Sequence, residues 1–382
     1  MGRRVNGEGS IYKRANGSWA GQVYVTLVNG EKKRVYVSAK SYEGARAKLR
    51  ELINQENRSL PHTEKEWKVK EYLDYWLSFQ KKRVRETTMI MYDSIANKHL
   101  KPVVGGHGLK TLSVADVRNA LDILEQKGCS GRTQQKCLQV LVSCLKSAMR
   151  EELVQRNVAQ LVERPKYIPR ETVMWTPEQA ATFLRVIKDH PQFVAFLMLL
   201  AYGMRRGEVL GLRYQDIDFD NGTIHVRQQI NRINGRIVAA DLKTRNSRRT
   251  LPLIPAIRTA LLEHAEKRGV TIPPFKSYIE LSTCGTVVVS NVGTPLEPRN
   301  LERCFHLLTK KAGLPRIKIH AMRHMAATAL KDLNVPVKDA QLILGHADIT
   351  TTLNIYQHGS VDTHRSAISA MGNRLLVRPK TV

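Results

Sequence analysis

At 382 residues, 42% of them hydrophobic, the chain is long enough for two or three domains with cores of their own. Its 61 Lys and Arg against 34 Asp and Glu give a net charge of +27 and a pI near 10.1, a surplus that disfavours compactness without a polyanionic partner. No apolar run approaches the roughly 18 residues of a membrane span, and the opening MGRRVNGEGS lacks the apolar core of a signal peptide, so a soluble intracellular protein with no membrane partner is expected.

The basic residues run through the whole chain, and double-stranded DNA is the first partner they suggest, because lysines and arginines displace condensed counterions from a phosphate backbone. The five cysteines (Cys129, Cys137, Cys144, Cys284 and Cys304) are odd in number and lack CxxC pairing. They read as reduced core residues, not as disulfides or zinc ligands.

In chain order, residues 1–58 carry two hairpin signals, Asn16-Gly17 and Asn29-Gly30, each between alternating runs. The middle run places Val23, Val25 and Leu27 on one face and Gln22, Tyr24 and Thr26 on the other. A helix from about Tyr42 to Asn57 can cover the apolar face, leaving a polar face with Tyr24, Lys32, Arg34 and Tyr36. The segment holds twelve Lys and Arg against five Asp and Glu, and a small basic sheet of this kind can lie in a major groove. A solvated sheet face is the alternative.

SLPHTEKE (59–66) reads as a linker. Residues 67–163 are helical by periodicity: Val69, Tyr72, Leu73, Trp76 and Leu77 follow three-four spacing, a second helix runs from Thr87 to Leu100 and ends near Pro102, a third begins at Ser113, and a fourth covers Arg132 to Glu152. On this last one Leu138, Leu141, Val142, Leu145 and Met149 form one stripe, with Cys137 and Cys144 beside it. A proline-bounded basic linker, Arg164 to Arg170, follows. In residues 171–382, Thr176 caps a helix with Pro177 at its first position, short strands are expected at Thr223–Val226, Gly235–Ala240 and Thr250–Pro252, and helices continue to the end.

This third segment holds the candidate chemistry. Arg205, Arg206 and Glu208 follow an apolar helix; Lys243 stands in a hairpin-like region with Arg245, Arg248 and Arg249 crowding it; HAMRH gives His320, Arg323 and His324; LGH gives His346, and Tyr356 follows ten residues later. Positions three apart share a helix face, so His320 and Arg323 can point into one pocket if His320 opens the helix. Two arginines, a lysine, two histidines and a tyrosine suit an anion. Guanidinium groups grip phosphate oxygens in a fork and keep their charge, and two of them can neutralise the charge growing on a pentacoordinate phosphorus without a metal or other cofactor.

The set resembles the tyrosine recombinase (phage integrase) family, which carries a GxRxxE box, a hairpin lysine, an HxxRH box and an LGH box followed by the tyrosine. Here these are Gly203 to Glu208, Lys243, His320 to His324, Leu344 to His346, and Tyr356. The sequence departs at Tyr214, where LRW is usual and LRY stands. The resemblance implies an α+β protein of three domains: an arm-type DNA-binding domain at 1–58 (three-stranded sheet plus helix), a helical core-binding domain at 67–163, and at 171–382 a mainly α catalytic domain with a small antiparallel sheet. It implies that Tyr356 attacks a scissile phosphate held among Arg205 and Arg323, leaving a 3′-phosphotyrosyl bond. Lys243 then protonates the departing 5′-oxygen, His320 helps take the tyrosine proton, and His346 binds the phosphate. Arg206 reads as a surface or backbone-phosphate contact, Glu208 as a structural partner for a buried arginine, His324 as a buried structural histidine, and Arg245, Arg248 and Arg249 as possible trackers of the DNA backbone. The family acts as a homotetramer on two duplexes, so Ser360–Val382 could dock on a neighbour about a hinge at Gly359-Ser360. A host DNA-bending protein and an excisionase are further partners, and integration or excision of a phage or mobile element in a bacterial host is the biology implied. Two alternatives stay open: strand relaxation of the type IB topoisomerase kind, against which the arm-like segment and the LGH box argue, and a DNA-binding regulator that has lost catalysis.

Overall fold

A computed structural model describes residues 9–26, 32–57, 66–168, 173–242, 247–277 and 281–356, with residues 369 and 371 besides. Asn29-Gly30, Leu27, nearly all of the 59–66 linker, Lys243, Arg245 and the Gly359-Ser360 hinge lie outside them. The chain divides into two compact units, Met1–Pro169 and Arg170–Val382. The segments 1–58 and 67–163 therefore fall together in the first unit, where the sheet and the helices keep separate hydrophobic clusters.

The first unit opens with an antiparallel sheet of order β1-β2-β3 (Ser10–Lys13, Trp19–Thr26, Lys32–Ala39). Val23 and Val25 are buried against Leu49 of α1 (Tyr42–Asn57), the helix expected to cover the apolar face. The opposite face carries Tyr24 paired with Arg34, Thr26 with Lys32 and Gln22 with Tyr36. Tyr24, Lys32, Arg34 and Tyr36 are all exposed, and the Arg34 guanidinium donates to the Tyr24 hydroxyl while lying 4.9 Å from its ring centre.

The helical part comprises α2 (Val69–Gln80), α3 (Glu86–Ile95), α4 (Lys101–Val104), α5 (Val114–Gln126) and α6 (Gly131–Arg150). The α2 stripe is buried as its spacing predicts, and Ser113 caps α5 by accepting the Asp116 N–H. The second helix does not stop at Pro102. A π turn at Ala96–Leu100 leads into α4, with Pro102 in its first turn, where a missing N–H costs least. On α6, Cys137, Leu138, Leu141, Cys144, Leu145 and Ala148 are buried but Met149 is exposed, because the buried face of the helix passes through Ala148 at its end. Cys284 also departs from expectation: it is exposed, and all five cysteines are free thiols.

The second unit begins with α7 (Pro177–Val186), capped by Thr176 as the sequence predicts, and α8 (Phe193–Tyr202), apolar along nearly its whole length and buried. After α9 (Arg206–Gly211), a sheet of order β4-β5-β8 (Ile217–Asp218, Thr223–Val226, Arg249–Pro252) and a hairpin β6-β7 (Gln228–Ile233, Arg236–Asp241) follow. The hairpin turns on Asn234 and Gly235, both at positive φ, as a tight two-residue turn requires. Strands β4 and β6 are additions to the sequence reading. The remaining helices are α10 (Pro255–Lys267), α11 (Pro298–Lys311), α12 (Ala321–Asp332), α13 (Val337–Leu344) and α14 (Ile349–Tyr356). One core joins α7 to α11 with the sheet, and a small cluster of Ala326, Ala327 and Leu344 seats α13 on α12. Tyr214 is buried and shares a hydrogen bond of 2.8 Å with His264, so the aromatic packing position survives the LRW to LRY change. Among the described residues, no helix is long and apolar enough to cross a membrane.

Candidate active site

Two helix ends build the pocket. Helix α8 stops at Gly203 (φ 58°) and α13 at Gly345 (φ 68°), both in the left-handed region that glycine enters without penalty. A Cβ on Gly203 would lie 2.7 Å from Leu344 and 2.9 Å from Ala326, so the two helix ends meet at a distance that a side chain would prevent. Each glycine carbonyl then receives an arginine. Arg323 Nη1 donates to Gly203 O at 2.7 Å, and Arg205 Nη2 donates to Gly345 O at 2.8 Å. Cations are favoured at such ends, where backbone carbonyls lack helical partners.

Arg205 is the N-cap of α9, and its backbone N–H donates to Glu208 Oε2 at 3.0 Å while its Nη1 meets Oε1 at 2.6 Å. Glu208 is 1% exposed and is shared with Arg249 of β8, whose Nη2 lies 3.0 Å from Oε2. Burial works against the Glu208 charge, but Arg249 and Arg205 outweigh it and hold its pKa below the ordinary value. Glu208 is thus the structural partner that the sequence reading made it.

Arg323, in the first turn of α12, is 4% exposed. Its Nη2 is buried with no hydrogen-bond partner among the described residues. Burial first and Arg205 next push its pKa down, against the opposing pull of Glu208. His320 is the N-cap of α12, as required for it to face Arg323. Its ring stands edge-on to His324 at 5.2 Å. His346 is buried, with Nδ1 2.9 Å from Thr352 Oγ1 on α14. Burial, then the neighbouring cations, lowers both His320 and His346 to about 4. The outer edge of His320 is open to water, so screening weakens the effect there, whereas His346 feels it in full. Both imidazoles are neutral at pH 7 and able to accept a proton or a hydrogen bond.

Arg205, His320, Arg323 and His346 therefore converge, while the Tyr356 hydroxyl is engaged with a backbone carbonyl. It donates to the carbonyl of Val335, in the α12–α13 turn, at 3.0 Å. Its pKa is raised by burial alone, with no pull from the cage cations. Of the other candidates, Arg206 pairs with Glu302. Arg248 is exposed and paired with Asp241 at 2.8 Å, a surface contact that a phosphate could displace.

Sequence reasoning gave Arg249 the wrong setting. It was grouped with the hairpin arginines that could track DNA, yet its side chain is 6% exposed. The signal was strand alternation: Arg249 pairs with buried Val226 and stands two residues before buried Leu251. Thr352, fully buried and six residues after His346, carried no signal.

Residues 174–362 match the phage integrase family, and residues 68–124 match the N-terminal SAM-like domain of phage integrases. A XerC-like tyrosine recombinase of Caldanaerobacter subterraneus subsp. tengcongensis is 26% identical over 365 residues, covering 90% of this chain and 93% of that protein. In fold the chain is similar to the integrase of transposon Tn1549 in complex with a circular intermediate DNA (TM-score 0.68, 23% identity, 80% of this chain and 99% of the other). It is also similar to a lambda integrase tetramer bound to a Holliday junction (TM-score 0.58, 16% identity, 94% and 99%).

Proposed function

The chain belongs to the phage integrase family of tyrosine site-specific recombinases, and we propose that its basic cage binds the scissile phosphate of an attachment site which Tyr356 attacks. The observation that carries this reading is the buried, unpartnered Nη2 of Arg323 beside Arg205, since an unpaired buried cation is costly until an anion arrives.

In the proposed step the Tyr356 oxygen bonds to phosphorus and the P–O5′ bond breaks, leaving a 3′-phosphotyrosyl link and a 5′-hydroxyl. Arg205 and Arg323 hold the non-bridging oxygens, and neutral His346, fixed by Thr352, hydrogen-bonds to the phosphate. Neutral His320 takes the phenolic proton, and Lys243 gives one to the 5′-oxygen. The phosphodiester energy is kept in the covalent link, so a second 5′-hydroxyl can reverse the step without ATP. For attack the hydroxyl must leave the Val335 carbonyl.

The same reading assigns Tyr24, Lys32, Arg34 and Tyr36 to a second, arm-type DNA site, and Arg245 and Arg248 to the DNA backbone. It takes the working assembly to be a homotetramer on two duplexes within a bacterial cell. There it integrates, and with an excisionase and a host bending protein also excises, a phage or mobile element.

The test is a nicked duplex bearing the element's own site, incubated with the protein in EDTA. A denaturant-resistant protein–DNA adduct is expected, and its absence ends the enzyme reading.

A further inference from the structure

Arg249 lies outside the catalytic set, yet it closes a ring of contacts around it. Its Nη2 meets Glu208 Oε2 at 3.0 Å, its Nε donates to Ile343 O at 2.7 Å, and its Nη1 donates to Ser247 O at 3.1 Å. Glu208 Oε1 in turn holds Arg205 Nη1, and Arg205 Nη2 holds Gly345 O. The ring runs Arg249, Glu208, Arg205, Gly345, Ile343 and back to Arg249, drawing on β8, the start of α9 and the end of α13. Gly345 rests on the guanidinium itself, since a Cβ there would lie 2.8 Å from Arg249 Nη1.

We propose that Arg249 is a positioning residue for DNA cleavage: it acts through Glu208 to aim Arg205, and through the Ile343 carbonyl to fix the turn that presents His346. The proposal rests on the phosphate-cage reading above. Its physical basis is the way the carboxylate is divided. With both arginines present, each Glu208 oxygen has its own guanidinium partner, and the plane of the carboxylate is set. Without Arg249, a carboxylate at 1% exposure has Arg205 as its remaining guanidinium partner, and the stronger pull turns Arg205 toward Glu208 and away from the phosphate. The last turn of α13 loses its tie to β8 in the same change, so His346 and Arg205 drift independently. Lysine is a poor substitute, because a single ammonium on a flexible stem cannot span Glu208 and the Ile343 carbonyl in one geometry.

The experiment uses the full chain and the nicked site DNA, with cleavage rate at saturating DNA and affinity for the DNA measured separately. Arg249→Ala is expected to slow cleavage by about 10–100-fold, the scale of a misplaced reacting group, with affinity changed by less than about twofold. Placed on Glu208→Gln, the same substitution should cost clearly less than it does on the wild type, because the route through Glu208 is already lost and only the tie to Ile343 remains to be removed. Wild-type cleavage rate in Arg249→Ala overturns the proposal. So does a loss that appears as weaker DNA binding, or one that multiplies in full on Glu208→Gln. If Arg249→Ala fails to fold, Arg249→Lys is read by the same three criteria. An adduct absent from the wild type sinks the cleavage chemistry and this role with it, whereas a wild-type adduct beside an unimpaired Arg249→Ala sinks this role alone.

Discussion

The two halves of the catalytic centre are held in different ways. Around the cage, Arg205, Arg249, Glu208 and the Gly345 carbonyl tie three elements together through charge-assisted contacts. At the other end, the Tyr356 hydroxyl, on the last described residue of α14, makes one hydrogen bond among the described residues, to a turn carbonyl. The cage side chains are thus held by several contacts and the Tyr356 hydroxyl by one, while α14 itself is seated through buried Thr352 and through Ile355. On the reading proposed above, such a site would recognise a phosphate with fixed charges, which cost no reorganisation during the reaction, and the Tyr356 oxygen would be released from its one hydrogen bond only once substrate is present.

The largest expected effect belongs to the cage. Arg323→Ala should slow cleavage on the order of 10²–10³-fold, as loss of a transition-state anion donor does, read by single-turnover adduct formation on a nicked site. A loss under about fivefold would mean that the cage is not where charge develops. Acid is the next lever. His346 has a folded pKa of about 4 against an ordinary 6.5, so between these values the unfolded chain binds more protons than the folded one. Stability must then fall as pH drops from 6.5 toward 4, by about 1–3 kcal/mol for this one group, and stay level from this group above 6.5. Urea unfolding at pH 7.5 and pH 5 measures it; His346→Gln should lose this group's share and keep that of His320 and the other histidines whose pKa burial lowers, and an unchanged dependence would show that His346 does not contribute. The smallest effect tests the Tyr356 hydroxyl. Tyr356→Phe removes one partly exposed hydrogen bond and should cost about 1 kcal/mol or less of stability while abolishing cleavage. A much larger thermal shift would show that the hydroxyl is held as firmly as the cage.

The sequence carried the chemistry further than the packing. Helix α1, the Thr176 and Ser113 caps and the α2 stripe were legible because local rules decide them. Arg205, His320, Arg323 and His346 were legible because their boxes have a distinctive order. The polar strand β6, with Gln228, Asn231 and Arg232 in its span, gave no alternation to read. Arg249 looked like its exposed neighbours because burial of an arginine depends on a carboxylate 41 residues away. The Val335 carbonyl was out of reach for a similar reason: backbone acceptors have no letter in the sequence. What the boxes could not give was the set of partners, which ties the cage arginines to buried carboxylate and carbonyl oxygens and the Tyr356 hydroxyl to a turn carbonyl.

Peptide mapping of the adduct is the most direct test. Protein trapped on a nicked site in EDTA is digested with nuclease and protease, and the peptide carrying residual nucleotide is located by mass spectrometry. The account predicts a phosphotyrosyl bond at Tyr356; nucleotide on any other side chain, with Tyr356 unmodified, would contradict it.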